Sequence, residues 1–153
     1  TKNIWGLLAD IGLIRSEQLG RILEIRPEDW RPEFAGELYQ TVAARDAYIT
    51  NFAKCTLCDA RPMGNHVFRR YKALLEKEID QVKPGKIVTF GNQVSSNMLS
   101  KNISVRDYKD LDHEEINING AVYKVYPVYY PIGQGRRNMP LARKRIISIL
   151  NGY

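Results

Sequence analysis

The residues whose types and spacing could do chemistry gather near the C-terminal end, in Tyr126-Pro127-Val128-Tyr129-Tyr130-Pro131-Ile132-Gly133-Gln134-Gly135-Arg136-Arg137-Asn138-Met139-Pro140. Aromatic and aliphatic residues alternate as in a strand. The chain then breaks at a proline into a loop carrying two glycines, two arginines, a glutamine and an asparagine. A stiff strand that delivers a glycine-rich polar loop to the mouth of a sheet is how α/β proteins build ligand sites. Five cations, Arg136, Arg137, Arg143, Lys144 and Arg145, follow with no acidic residue among them. A second stretch, Gly91-Asn92-Gln93-Val94-Ser95-Ser96, lies at an expected strand-to-helix turn, where free backbone N–H groups and a positive helix end attract phosphate. The competing reading is an ordinary helix start capped by Asn92.

Composition narrows the partner. The chain has 153 residues, 44% hydrophobic and 26% charged, which fits a single soluble globular domain with a core of its own. Net charge is +6, which favours a polyanion such as nucleic acid, although a basic solubilising surface has the same sum. Acidic residues concentrate elsewhere, in 107–115. No apolar run approaches the roughly 20 residues of a membrane span, and no signal-peptide core is present, so the expectation is a cytoplasmic monomer away from membranes. Cys55-x-x-Cys58 could be half of a zinc site, extended by His66, or a redox pair, or two reduced loop thiols. Of the tyrosines, Tyr123, Tyr126, Tyr129 and Tyr130 alternate along the strand, and core filling is the simplest use for all but Tyr130.

The elements that must position these groups follow from periodicity. Ile4, Leu7, Leu8 and Ile11 recur at helical spacing in 3–14, with Asn3 a candidate N-cap. Short helices are expected from Ser16 to about Leu23 and over 33–43, separated by Pro27 and Pro32. The run 46–52, with Tyr48, Ile49 and Thr50, reads as a buried strand. Over 66–82, Val67, Tyr71, Leu74, Leu75, Ile79 and Val82 mark one helical face, stopped by Pro84-Gly85. A strand over 86–90, Gly91 and a helix over 92–99 complete a parallel βαβ pattern. The segment 104–119 reads as a polar surface arm, closed by an Asn119-Gly120 hairpin turn. The strand 121–130 and the helix 141–150 end the chain. The expected fold is α/β, a three-layer α/β/α sandwich on a small, mostly parallel sheet, in one domain over 1–153.

Three segments in this order resemble the uracil-DNA glycosylase superfamily, closest to its family 4-like branch. Tyr48-Ile49-Thr50-Asn51-Phe52-Ala53-Lys54-Cys55 is similar to that branch's strand ending in Thr-Asn, two apolar residues and Lys-Cys. Tyr71 to Lys77, then Lys83-Pro84-Gly85-Lys86-Ile87-Val88-Thr89-Phe90-Gly91, resembles its helix, proline break and strand ending in glycine. Tyr129-Tyr130-Pro131 with the polar loop and final helix matches the last motif in position, and Ile4 to Leu13 resembles the first helix. The resemblance implies a DNA-repair protein that binds DNA, flips a base and hydrolyses the N-glycosidic bond of uracil or another deaminated base. Asn51 falls where the family sets an asparagine against the flipped pyrimidine, a job suited to an amide because it offers donor and acceptor side by side; closing the strand with an Asx turn is the alternative. The resemblance also sets Gly91, Asn92 and Ser95 against the DNA backbone, with Gly133, Gln134, Gly135, Arg136, Arg137 and Asn138 as the DNA-facing loop.

The sequence departs from the family pattern at three places. The last motif usually reads His-Pro-Ser, its histidine stabilising negative charge on the departing base. Here it reads Tyr130-Pro131-Ile132, so Tyr130 stands at the catalytic position. The first strand and its glycine-rich, water-positioning motif would precede Thr1. The branch's iron–sulfur cluster takes four cysteines, whereas this chain has Cys55 and Cys58, with Tyr71 where a helix cysteine is expected. No cofactor is therefore expected. The Tyr130 replacement and the missing first motif motivate the alternative, a non-catalytic member of the same fold that binds nucleic acid or a nucleotide.

Overall fold

The computed structural model describes residues 2–55, 63–131 and 137–152. They form an α/β fold of six α-helices and a small sheet, divided into two compact units: residues 1–50 with 130–147, and residues 51–129 with 148–153.

The first unit is helical. α1 (Lys2–Asp10), α2 (Ser16–Glu24) and α3 (Pro32–Ala43) pack around Leu8, Ile14, Ile22, Phe34, Leu38 and Val42. Asn3 lies inside the first turn of α1 rather than capping it. Pro32 opens α3, where its missing N–H would have had no helical partner and its fixed φ suits the first turn. The aromatic rings of Trp5 and Trp30 meet at 5.6 Å, and Trp30 meets Phe34 edge-on at 5.3 Å. One polar group is fully enclosed. Gln18 donates to Glu37 Oε1 at 2.9 Å and Thr41 Oγ1 at 2.8 Å, while its own Oε1 accepts the Arg15 N–H at 3.0 Å. The amide is thereby satisfied on both sides, as burial requires.

The stretch 46–52 is not a strand. Asp46 takes a left-handed φ of 53° after α3, and the following residues run without strand pairing. The alternation that suggests a strand is real, but its inner face meets helices: Ala47 and Ile49 pack on the helical core while Tyr48 and Thr50 face out. Period-two alternation reports an extended chain on an apolar surface, whatever that surface is made of.

The second unit holds the sheet. β1 (Ile87–Phe90) pairs in parallel with β3 (Ala121–Val128), and β2 (Glu114–Ile118) pairs antiparallel with β3 on its other side, giving the order β1-β3-β2. The sheet is thus mixed, one parallel and one antiparallel pair. α4 (Asn65–Val82) and α5 (Asn92–Leu99) complete the unit; β1 and β3 are parallel, and the connection between them runs through α5 and β2. Asn119 (φ 51°) and Gly120 (φ 87°) both take positive φ, which is the two-residue type I′ turn that matches strand twist. β3 ends at Val128 rather than Tyr130. Pro127 costs β2 no ladder bond, because that pairing stops at Val125.

The core of this unit joins Phe52, Phe68, Leu75, Ile79, Met98, Ile118, Tyr123 and Val125. The buried stripe of α4 is Phe68, Leu75 and Ile79; Leu74 and Val82, expected on that face, are 45% and 42% exposed. Phe68 selects this register by meeting Phe52 edge-on at 5.2 Å. α6 (Met139–Asn151), whose residues up to Ile147 belong to the first unit, buries Ala142, Arg145, Ile146 and Ile149, a stripe at i, i+3, i+4 and i+7. Within the second unit, Lys86 Nζ donates to the carbonyls of Ile149 and Gly152, a cation on the open end of that helix. No described helix is long and apolar enough to cross a membrane.

Candidate nucleic-acid interface

Asn51 begins with its neighbours. Phe52 and Ala53 are buried, and Lys54 reaches Glu78 of α4 at 2.7 Å, both side chains largely covered. An aromatic anchor on one side and an ion pair on the other hold a chain segment that has no strand ladder to do so. Asn51 itself is exposed, and its side-chain amide makes no hydrogen bond among the described residues. The Asx turn that would have consumed it is absent there. A presented amide with donor and acceptor both open has the chemistry to read a base edge.

The Gly91 turn is built from the inside. Gly91 takes φ 86° and ψ 162°, a backbone region open essentially to glycine alone. Its N–H donates to Val128 O at 2.7 Å, fixing the turn to the end of β3. Its carbonyl accepts from the Ser95 N–H at 3.1 Å and from Ser95 Oγ at 2.8 Å. Gly91 is the N-cap of α5, and no side chain caps the first turn. Asn92 is not the cap: its Oδ1 accepts the Val105 N–H at 2.9 Å, drawing the arm that follows α5 back to the turn. Gln93 donates to Met63 O and Asn65 Oδ1, bridging to the start of α4. Asn92 and Gln93, the first two residues of α5, are both exposed.

Ser95 does not belong on the outer surface. It is fully buried, with Oγ 2.8 Å from Thr89 Oγ1, so direct contact with DNA is ruled out by its position. The same holds for one end of the basic run. Arg145 is 6% exposed because its place in the buried stripe of α6 turns it inward. Arg143 is half exposed and lies 3.6 Å from Asp10, while Arg137 is exposed in the short turn that leads into α6, beside half-buried Asn138. Gly133, Gln134, Gly135 and Arg136, together with Cys58, lie outside the described residues. Tyr130 is 48% exposed and lies two residues past the end of β3, and the next residue, Pro131, is buried.

The acidic arm is more closely engaged than a surface insertion. The register sets Glu114 opposite Val125, so residues before Glu114 run toward the C-terminal ends of β1 and β3, and the His113 ring lies against Tyr126 at 5.3 Å. Asn102, Ser104, Asp107, Tyr108, Leu111, Asp112, His113 and Glu114 line a concavity of about 610 Å³. Hydrogen bonds from Lys101 and then Tyr108 hold the Glu114 carboxyl below its ordinary range. Sequence reasoning missed this engagement, because nothing in the arm's polarity signals that Asn92 will reach Val105.

No group of three or more potential metal-ligating side chains gathers among the described residues. Cys55 is half buried, its thiol 4.0 Å from the Met63 thioether.

No curated protein and no solved structure matches this chain. A family model does: that of the Uracil DNA glycosylase superfamily matches residues 2–150, nearly the whole length, and takes in the Asn51 segment, the Gly91 turn and the exit from β3. The chain belongs to the uracil DNA glycosylase superfamily.

Proposed function

We propose that the protein is a DNA-binding glycosylase of the family 4-like branch, acting on uracil or another deaminated base by hydrolysing its N-glycosidic bond. The observation that carries this reading is the presentation of Asn51, an exposed residue held by Phe52 and the Lys54–Glu78 pair within a chain matched to the superfamily over residues 2–150. In this reading the α5 amides meet a backbone phosphate, as helix N-termini do. Arg137 and the neighbouring loop supply the cationic contacts that dominate DNA affinity. Asn51 then meets the Watson–Crick edge of the flipped base. Bond cleavage develops positive charge on the sugar and negative charge on the base, so the protein's contribution is electrostatic, from donors aimed at the departing base. Tyr130 stands where the family places its histidine, and a phenol there offers one hydrogen-bond donor.

That substitution favours a second reading, a member that binds DNA and inspects bases without cleaving. One assay separates the two. The protein in excess is incubated with oligonucleotides containing uracil, hypoxanthine or xanthine, then alkali-labile abasic sites are scored. Cleavage of one substrate above a buffer control supports the glycosylase. Binding without product leaves the non-catalytic reading, and no binding at low salt sinks both.

A further inference from the structure

We infer that Thr89 and Ser95, both buried, are positioning residues that aim the backbone N–H of Asn92, an exposed residue, at the phosphate through the Gly91–Asn92 peptide. The inference rests on the proposed DNA reading of the α5 turn.

The direction of the hydrogen bonds follows by elimination. Gly91 O can only accept, so Ser95 spends its single O–H on that carbonyl at 2.8 Å. The 2.8 Å contact between Ser95 Oγ and Thr89 Oγ1 must then have Thr89 as donor. The result is a one-way chain from Thr89 through Ser95 to the Gly91 carbonyl, enclosed within the unit: Thr89 is 6% exposed and Ser95 fully buried. The carbonyl it ends on belongs to the same planar peptide as the Asn92 N–H. In a trans peptide the two point in opposite directions, and the described chain has no cis bond. Fixing the carbonyl inward therefore fixes the N–H outward, at an exposed residue and in the uncapped first turn of α5. Backbone hydrogen bonding alone would also hold the carbonyl, through the Ser95 N–H at 3.1 Å. The added hydroxyl replaces rotational slack by a second anchor on a glycine whose φ of 86° leaves the backbone otherwise permissive. Buried hydroxyls cost stability unless satisfied, and here both are, by each other and by the turn they hold.

The test uses the full chain and a duplex carrying a single uracil, with affinity read by fluorescence anisotropy and the Asn92 amide followed by ¹⁵N–¹H spectroscopy. Wild type is titrated first; failure to bind removes the DNA reading and this inference with it. Given binding, Thr89→Val and Ser95→Ala are expected to raise Kd by about fivefold to tenfold, the scale of one hydrogen bond. Both should shrink the Asn92 shift seen on titration. Thr89→Ser, which keeps the hydroxyl, should bind within about twofold of wild type on the same scale. Because the chain acts in series, the Thr89→Val/Ser95→Ala double variant should match Ser95→Ala alone. Should Ser95→Ala lose its folded spectrum, the isosteric Thr89→Val carries the test. Wild type that binds without moving the Asn92 amide, or folded variants that bind as tightly with an unchanged Asn92 shift, would overturn the inference while leaving the DNA reading in place.

Discussion

Gly91 donates its backbone N–H to the carbonyl of Val128 at 2.7 Å, joining the turn after β1 to the last residue of β3. Two adjacent parallel strands thus end in a shared hydrogen bond, made possible by a φ of 86° that L side chains rarely adopt. Gly91→Ala is expected to cost about 1–3 kcal/mol of stability through backbone strain. It should also weaken duplex binding by displacing the first turn of α5. Thermal unfolding and anisotropy on the same variant check the pair of effects; an unchanged melting temperature would mean that the turn accommodates a Cβ.

Glu37 gives a pH dependence with a definite sign. Its carboxyl is held below the ordinary value of 4.5, first by the hydrogen bond from Gln18 and then by Arg21 at 2.8 Å. A group whose folded value is depressed contributes stability that is present above the unfolded value and disappears as pH falls through the folded one. The melting temperature should therefore drop as pH is lowered below about 4.5. Glu37→Gln should lower it at pH 7 and flatten that acid limb. A variant whose melting curve parallels wild type from pH 7 to pH 3 would show that the Gln18–Glu37–Arg21 cluster carries no linkage.

These two positions also mark what sequence can and cannot disclose. The Gly91 turn was legible because its determinants are local: a strand, a glycine and an amphipathic run in succession. The hairpin at Asn119-Gly120 was legible for the same reason. Gln18 and Glu37 were not, since a glutamine becomes a buried hub only when two helices bring Thr41 and Glu37 to it. The strand expected over 46–52 failed because alternation does not say whether the apolar partner is a strand or a helix layer. Ser95 and Arg145 failed for a related reason. Polarity suggested the surface, whereas helix register turned both inward. At the candidate site, Asn51 and the α5 turn came from motif order, while the buried hydroxyl pair beneath the turn needed three dimensions.

The two ends of the basic run should respond differently. Arg137 is exposed, so Arg137→Ala should weaken DNA binding and reduce the slope of log K against log salt by about 0.9 for one phosphate contact, with little change in melting temperature. Arg145 is buried within α6, so Arg145→Ala should destabilise the fold, by about 3 kcal/mol on the scale of a broken buried charge interaction. Equal effects on the salt slope from both would contradict this division.

The proposed function divides recognition from support between Asn51 and Phe68 in the same way. Asn51→Ala removes an exposed amide and should leave stability within about 0.5 kcal/mol of wild type while abolishing preference for a uracil-containing duplex over its thymine counterpart. Phe68→Ala removes the ring that meets Phe52 at 5.2 Å and should cost about 3–5 kcal/mol. If Asn51→Ala retained full base preference, another group would have to read the base.

Tyr130 offers the sharpest test of activity. In the proposed reading it takes the position of the family's histidine; it lies two residues past the end of β3 and is 48% exposed, so replacement need not disturb a packed core. The departing base carries negative charge in the transition state, and a histidine can present an N–H donor, or a cation when protonated, where the phenol offers a single O–H. Tyr130→His is therefore expected to raise single-turnover uracil release at pH 7 by about tenfold or more, short of the about 10²–10⁴ of a well-placed proton-transfer group because the surrounding site is built around a phenol. Kd for the uracil duplex should stay within about threefold, because the gain belongs to the transition state and not to ground-state binding. Tyr130→Phe separates the phenol's own contribution. If it matches wild type while Tyr130→His gains, the tyrosine is a silent occupant of the catalytic position. If Tyr130→Phe loses release, the phenol is itself a donor to the base. No gain from histidine, in a protein that still binds and discriminates uracil, would place the catalytic deficit elsewhere than at position 130.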